Sequence, residues 1–214
     1  MRVAILGGTG SFGRALAARL AALGVDDVVI GSRDEARAAS VAAGLGGRAA
    51  TGTTNERALA GADLAVLAVK ADAALATAQG VAGALGTTPL LSVASAIEFH
   101  KGIGMVPDPD ALSLAERVQS VVEAPVVAGL HSIAAASLED ARQPDEDALI
   151  CGDDREAKAL ALELASRVVG GRALDAGPLA SARALEGMTA VIVNLNRRYK
   201  AHAGVRITGV DGAE

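Results

Sequence analysis

Residues 3–13 read Val3-Ala4-Ile5-Leu6-Gly7-Gly8-Thr9-Gly10-Ser11-Phe12-Gly13, and the reading of this stretch decides the fold. Gly8, Gly10 and Gly13 make a G-x-G-x-x-G. In a chain with 25 glycines that spacing alone is a weak signal. Context makes it strong, because four apolar residues of strand character precede it and a helix-forming run follows, as a dinucleotide fingerprint requires. Gly8 is expected to permit the tight turn, Gly10 to let a pyrophosphate approach the backbone, and Gly13 to let the helix pack on the strand. The free N–H groups at the helix start favour phosphate. Thr9 and Ser11 add hydroxyl donors, and Phe12 lies in the same turn. The bland alternative is a glycine-rich turn with no ligand.

Outward from this turn, Val/Ile/Leu-rich runs alternate with Ala-rich stretches of helical length, the order of an α/β parallel sheet. Strands are predicted at Arg2–Gly7, Asp27–Gly31, Arg48–Gly52, Leu64–Val69, Leu90–Val93, Val126–Leu130, Ala148–Cys151 and Arg172–Asp175. Helices are predicted at Ser11–Leu23, Asp34–Gly44, Asn55–Ala60, Ala71–Ala84, Leu112–Val122, Arg155–Val169 and Leu179–Tyr199. Ala96–Pro109, with Gly102, Gly104, Pro107 and Pro109, reads as a loop over the sheet, and Ser132–Asp147 as a second surface excursion. Gly177-Pro178 is a stop followed by a residue suited to a first helical turn. The expected architecture is a Rossmann-type doubly wound parallel sheet over residues 1–176, with a small helical segment over residues 177–214.

The second strand, Val28-Val29-Ile30, ends in Gly31-Ser32-Arg33. An NAD-preferring site places Asp or Glu at this tip, about 20 residues after the fingerprint, to accept from the ribose hydroxyls. Here the tip offers the Ser32 hydroxyl and the Arg33 guanidinium, with Arg37 one helical turn further on. Two planar donor forks suit a 2′-phosphate, so the expected nucleotide is NADP(H). Asp34 and Glu35 are explained by the first turn of a helix, where acids are favoured by the macrodipole. The bland reading of Arg33 and Arg37 is a pair of solvated surface cations.

Composition narrows the partner. The chain has 214 residues, 51% of them apolar, and a formal charge of −5. With one Tyr, two Phe and no Trp it has neither the basic footprint nor the stacking aromatics of a nucleic-acid binder. No apolar run approaches the roughly 18 residues of a membrane span, and Met1–Leu6 reads as a first strand rather than a secretory signal. One cysteine, Cys151, leaves no internal disulfide framework and fits a reducing cytoplasm. His100, His131 and His202 lack metal-ligand spacing, so no metal site is expected. The Tyr-x-x-x-Lys pair of short-chain dehydrogenases is missing, because Tyr199 is followed four residues on by Ala203. Cys151 reads as a buried strand residue, and Asp153 and Asp154 as helix caps. A reaction needing little acid–base help fits such a chain, and hydride transfer between two bound redox cofactors is one.

Several blocks go beyond a general cofactor fold. They are Leu130-His131-Ser132-Ile133, Cys151-Gly152-Asp153-Asp154, Leu174-Asp175-Ala176-Gly177-Pro178-Leu179, and Arg198-Tyr199-Lys200 with Arg206-Ile207-Thr208-Gly209. Together with the glycine turn and Ile30–Arg33, they make nearly the whole chain resemble the NADPH-dependent reductases of coenzyme F-420, a 5-deazaflavin carrier, in their actinobacterial form. The resemblance implies reversible hydride transfer between NADPH and F-420, in a cleft between the Rossmann domain and the C-terminal segment. Carried over by position, it implies that Thr9, Ser32, Arg33 and Arg37 hold NADP, that Val69 and Lys70 lie in the crevice, and that His131 and Ile133 lie beside the deazaflavin. It also implies a homodimer, for which the apolar Met188, Val191, Ile192 and Leu195 are candidate contacts or, equally, core. The chain departs from the family in lacking prolines within Ser92–Ala96 and Ala134–Ala136. Two other readings remain: an imine reductase of the pyrroline-carboxylate type, disfavoured by the short C-terminal portion, and an NADPH-binding redox sensor without turnover. For His131 the plain alternative is a satisfied core histidine.

Overall fold

The computed structural model describes residues 1–24, 27–45, 50–140 and 142–210. Its main sheet is built from β1 (Arg2–Leu6), β2 (Asp27–Ser32), β3 (Ala50–Thr54), β4 (Leu64–Leu67) and β5 (Leu90–Ser92), followed after a separate hairpin by β8 (Val126–Gly129), β9 (Ala148–Gly152) and β10 (Ala173–Asp175). Their spatial order is β10-β9-β8-β5-β4-β1-β2-β3. From β3 to β8 every pairing is parallel, which is the Rossmann arrangement. The expectation of a wholly parallel sheet is corrected at one place: β9 runs antiparallel to β8, with Ala128 opposite Cys151, and β10 then pairs parallel to β9. Strand direction leaves no trace in an apolar run that is buried on both faces. The predicted third strand began at Arg48, but Arg48 and Ala49 lie outside the described residues, and the strand runs Ala50–Thr54.

Successive residues of β1 show why its sequence is continuously apolar. Val3 and Ile5 enter one core cluster with Ala15, Leu16 and Leu20 of α1 (Ser11–Leu23), Ala38 of α2 (Glu35–Gly44), and Ala161 and Leu164 of α7 (Arg155–Val168). Ala4 and Leu6 face the opposite cluster. There they meet Ala58 of α3 (Asn55–Ala58), Ala74 and Ala78 of α4 (Ala71–Leu85), Leu114 of α5 (Leu114–Gln119), and Leu185 of α8 (Ala182–Tyr199). Each fully buried Leu or Ile contributes about 1.5–3 kcal/mol, and the alanines let the helices approach closely. A short α6 (Ala135–Glu139) sits in the Ser132–Asp147 excursion, and a 3-10 turn at Leu179–Ser181 leads into α8.

Ala96–Pro109 is not a bare loop. It folds as an antiparallel hairpin, β6 (Ile97–His100) and β7 (Gly104–Pro107), whose turn uses the left-handed Gly102. Three of the four β6 residues are exposed, so the segment has none of the periodic burial by which a strand is recognised. The hairpin is held by α8 instead. Asn194 is hydrogen-bonded to Met105, and the Arg197 guanidinium lies 4.9 Å from the centre of the Phe99 ring.

Candidate functional site

β1 and β4 are neighbours, yet the chain leaves β1 toward β2 and returns at β4 on the other side. Ligands of open α/β sheets lie in the crevice beyond the carboxyl ends of strands at such a reversal. Here the crevice is a cavity of about 810 Å3. One wall is Gly7, Thr9, Gly10, Ser11 and Phe12, and the other is Ala68, Val69 and Lys70.

The glycines divide their work differently from expectation. The left-handed residue of the turn is Gly7 (φ 73°) rather than Gly8, and a Cβ on Gly7 would reach within 2.4 Å of Val69. Gly8 and Gly13 do not line the cavity; they pack beneath it, where a Cβ on Gly13 would lie 2.8 Å from the Gly8 Cα. The Gly8 N–H donates to Gly31 C=O at 3.0 Å, and the Gly7 N–H to Asn55 Oδ1 at 3.1 Å, tying the turn to β2 and to the start of α3. Gly10 is the N-cap of α1 and has no side chain to cap it, which leaves the first-turn amides to the cavity.

Ser32, Arg33 and Arg37 line the same cavity. Asp34 does not compete for the guanidiniums, because its carboxylate caps α2, accepting from the Arg37 N–H at 3.0 Å. Glu35 turns away to Arg57 at 3.0 Å. Both Arg33 and Arg37 are exposed, and among the described residues neither forms an ion pair. Asn55, Asp72 and Thr77 also line the cavity and were not anticipated. A smaller cavity of about 340 Å3 shares Ser32, Arg33, Asn55 and Thr77 and extends the crevice along α4.

At its other end the crevice meets a second cavity of about 540 Å3, and the two share Phe12, Val69, Lys70 and Asp72. Its remaining wall brings together Val93–Ser95 after β5, Ile97 of β6, Leu130, His131 and Ile133 after β8, and Thr189 of α8. His131 and Ile133, 60 residues and more from Val69 in sequence, line the same cavity as Val69. Leu130 is left-handed (φ 63°), a conformation that costs a non-glycine residue about 1–3 kcal/mol and turns the chain sharply into His131. His131 is 7% exposed, its Nε2 lies 3.3 Å from the Ala94 carbonyl, and its buried Nδ1 has no partner among the described residues. Burial pushes its pKa down to about 4, against a smaller upward pull from the Ala94 carbonyl. The Thr189 hydroxyl donates to the His131 carbonyl at 3.0 Å and lies 2.7 Å from Ser95 Oγ. Ser95 was discoverable as a polar residue just past the carboxyl end of a strand. Thr189, inside a helix, carries no local signal.

Residues read as structural line none of these cavities, though Asp153 does not cap the helix it precedes. Cys151 is buried in β9, and desolvation raises its thiol to about 11. Asp154 caps α7 through the Ala157 N–H at 2.8 Å, while Asp153 accepts from the Leu179 N–H at 2.9 Å. Among the described residues no cluster of His, Cys, Asp or Glu could hold a metal ion, and no helix is long and apolar enough to cross a membrane.

A glycine turn at the sheet's switch point, running into a second pocket, defines a Rossmann-type dinucleotide-binding oxidoreductase. The family described as NADP oxidoreductase, coenzyme F420-dependent, matches residues 2–96. The F420-dependent NADP reductase of Methanothermobacter marburgensis is 38% identical, covering 98% of this chain and 99% of the relative. The chain belongs to this family of F420-dependent NADP reductases. A crystal structure from Arthrobacter sp. FB24, provisionally named an F420-dependent NADP-reductase, superposes with a TM-score of 0.83 at 27% identity, covering 97% of this chain and 99% of that one. An imine reductase from Streptomyces aurantiacus is similar in fold alone, at 22% identity and a TM-score of 0.61, covering 94% of this chain and 62% of that one.

Proposed function

We propose that the protein transfers a hydride reversibly between NADPH and coenzyme F-420, with NADPH in the larger cavity and the deazaflavin in the second. The observation that carries this reading is the continuity of the two cavities through Phe12, Val69, Lys70 and Asp72, which lets two flat rings meet face to face. The nucleotide supplies the hydride, the deazaflavin ring carbon accepts it, and a solvent proton completes the reduced carrier. The chain's own residues position and shield. Gly10, Ser11 and the α1 amides take the pyrophosphate, Thr9 and Ser32 add hydroxyls, and Arg33 with Arg37 takes the 2′-phosphate. Buried neutral His131 and apolar Ile133 hold the second ring without offering a proton.

Residues 1–176 serve as the nucleotide domain, and residues 177–214 close the second cavity through Thr189. Val191, Leu195 and Tyr199 form a stripe at helical spacing on the exposed side of α8, and a second copy of the chain is its proposed cover. The lone buried Cys151 supports a cytoplasmic setting. The deciding experiment mixes the protein with NADPH and oxidised F-420 and follows the loss of deazaflavin absorbance, with free flavins and cyclic imines in parallel. Turnover with F-420 and none with imines is expected. Binding of NADPH with no reduction of F-420 would replace this reading with the redox-sensor one.

A further inference from the structure

We propose that Ser95 is a specificity-determining residue of the second cavity, an acceptor that reads the imide N–H of the bound redox ring; the inference rests on the deazaflavin reading above. The argument is one of hydrogen-bond direction. A carbonyl can only accept, so the single proton of the Thr189 hydroxyl is committed to His131 C=O at 3.0 Å. Across the 2.7 Å contact Ser95 must therefore be the donor and Thr189 Oγ1 the acceptor. This spends the only proton of Ser95 inside the protein and leaves its Oγ with lone pairs alone.

The same logic fixes His131. Its Nε2 faces the Ala94 carbonyl at 3.3 Å and so carries the ring proton, leaving Nδ1 a bare acceptor, buried and unpartnered. Ser95 Oγ thus brings to the pocket wall a side-chain acceptor with no proton to give, His131 Nδ1 is a second acceptor in the same wall that is closed to solvent, and the remaining side-chain donor on that wall is the Lys70 ammonium. A pocket polarised in this way favours a ring that presents an N–H between carbonyl oxygens, as the pyrimidinedione end of a deazaflavin does. An aromatic ring with only acceptor atoms at that edge would leave Ser95 Oγ unpaired.

The test compares F-420 with its N3-methyl derivative, using deazaflavin fluorescence to measure Kd. Wild type should bind the methylated ring about tenfold more weakly, the loss expected when a buried acceptor is left unpaired. Ser95→Ala should weaken F-420 by a similar factor and bind both rings nearly equally, with the Kd for NADPH unchanged. Ser95→Thr keeps the hydroxyl and should restore discrimination. Undiminished discrimination in Ser95→Ala, or equal binding of the two rings by wild type, would overturn the assignment and leave the deazaflavin reading standing. Failure of wild type to bind F-420 at all would overturn both.

Discussion

Both arms of the Asn194 amide close on Met105: its Oδ1 accepts from the Met105 N–H at 2.8 Å, and its Nδ2 donates to the Met105 C=O at 2.8 Å. A side chain on α8 thereby imitates a neighbouring strand along the edge of β7. The pairing also explains Gly104, where a Cβ would stand 2.6 Å from Asn194 Oδ1. Ile97 on this hairpin and Thr189 on this helix both line the second cavity, so the amide holds two of its walls in register. Asn194→Ala removes both bonds. Hydrogen exchange across residues 97–107 should accelerate, and the KM for F-420 should rise several-fold while the Kd for NADPH stays put. An unaltered exchange pattern would show that the hairpin is held by other contacts.

The proposed 2′-phosphate site at the tip of β2 makes a prediction about nucleotide choice. Arg33 is exposed, faces the larger cavity, and is spared by Asp34, whose carboxylate is occupied with the α2 N-cap. Arg33→Ala should therefore weaken NADPH by about 10- to 100-fold, the worth of a charge-assisted hydrogen bond of about 1.5–3 kcal/mol. NADH, lacking the phosphate, should be little affected. Calorimetric titration of both nucleotides into both proteins decides the matter, and equal weakening of NADH would remove Arg33 from the phosphate site.

How much of this was legible in the sequence depended on how local each cause is. The place of the glycine turn and of Ser32, Arg33 and Arg37 on one cavity wall could be read, though not which glycine is left-handed, because each position is set within a few residues of chain. The helix at Ser11–Leu23 was placed to the residue because glycine punctuates both of its ends. Asn55 was missed because it looks like an ordinary helix start. Its importance lies in the Gly7 N–H, 48 residues earlier, which only the parallel pairing of β1 and β2 brings near. The β6–β7 hairpin was read as a loop because its strands are mostly exposed and owe their order to α8, nearly a hundred residues away. His131 could be named from a family resemblance, but nothing in its neighbourhood reveals that Ser95 and Thr189 complete the same wall.

On the far edge of the sheet, Asp147 anchors the C-terminal tail. It is fully buried and accepts from the Arg172 N–H and guanidinium and from the Ile207 N–H at 2.8 Å. The hydrogen bond from the Arg172 side chain, helped by these amides, holds its carboxyl well below the usual carboxylate range against the opposing cost of burial. A depressed folded pKa means that this stabilisation is present above the unfolded value, near 3.9, and is lost as pH falls below it. Asp147→Asn should cost about 2 kcal/mol at pH 7, less than the 3–5 of a sealed pair because Arg172 is partly solvated. Urea midpoints at pH 7, 4 and 3 should show the gap between variant and wild type closing with acid. A constant gap would place the stabilisation in packing rather than in charge.

His131 makes the opposite kind of prediction, about what pH does not do to catalysis. Its pKa is lowered from 6.5 to about 4, chiefly by burial, so the ring is neutral throughout the working range. In the unfolded chain the same ring takes up a proton below about 6.5. Between these two values the unfolded state binds more protons than the folded one, so stability falls as pH drops through the window from 6.5 to 4. The full effect is about 3 kcal/mol, at 1.36 kcal/mol per pKa unit. His131→Gln has no titrating ring, and its amide can still donate to the Ala94 carbonyl, so its stability should be flatter across that window. The kcat/KM of wild type should meanwhile show no inflection from this residue between pH 6 and 8, because in the proposed reaction hydride passes between two ring carbons and the histidine is assigned a positioning role alone. An inflection near neutrality that disappears in His131→Gln would mean that the ring does exchange a proton during turnover, and its role would then be acid–base rather than positional.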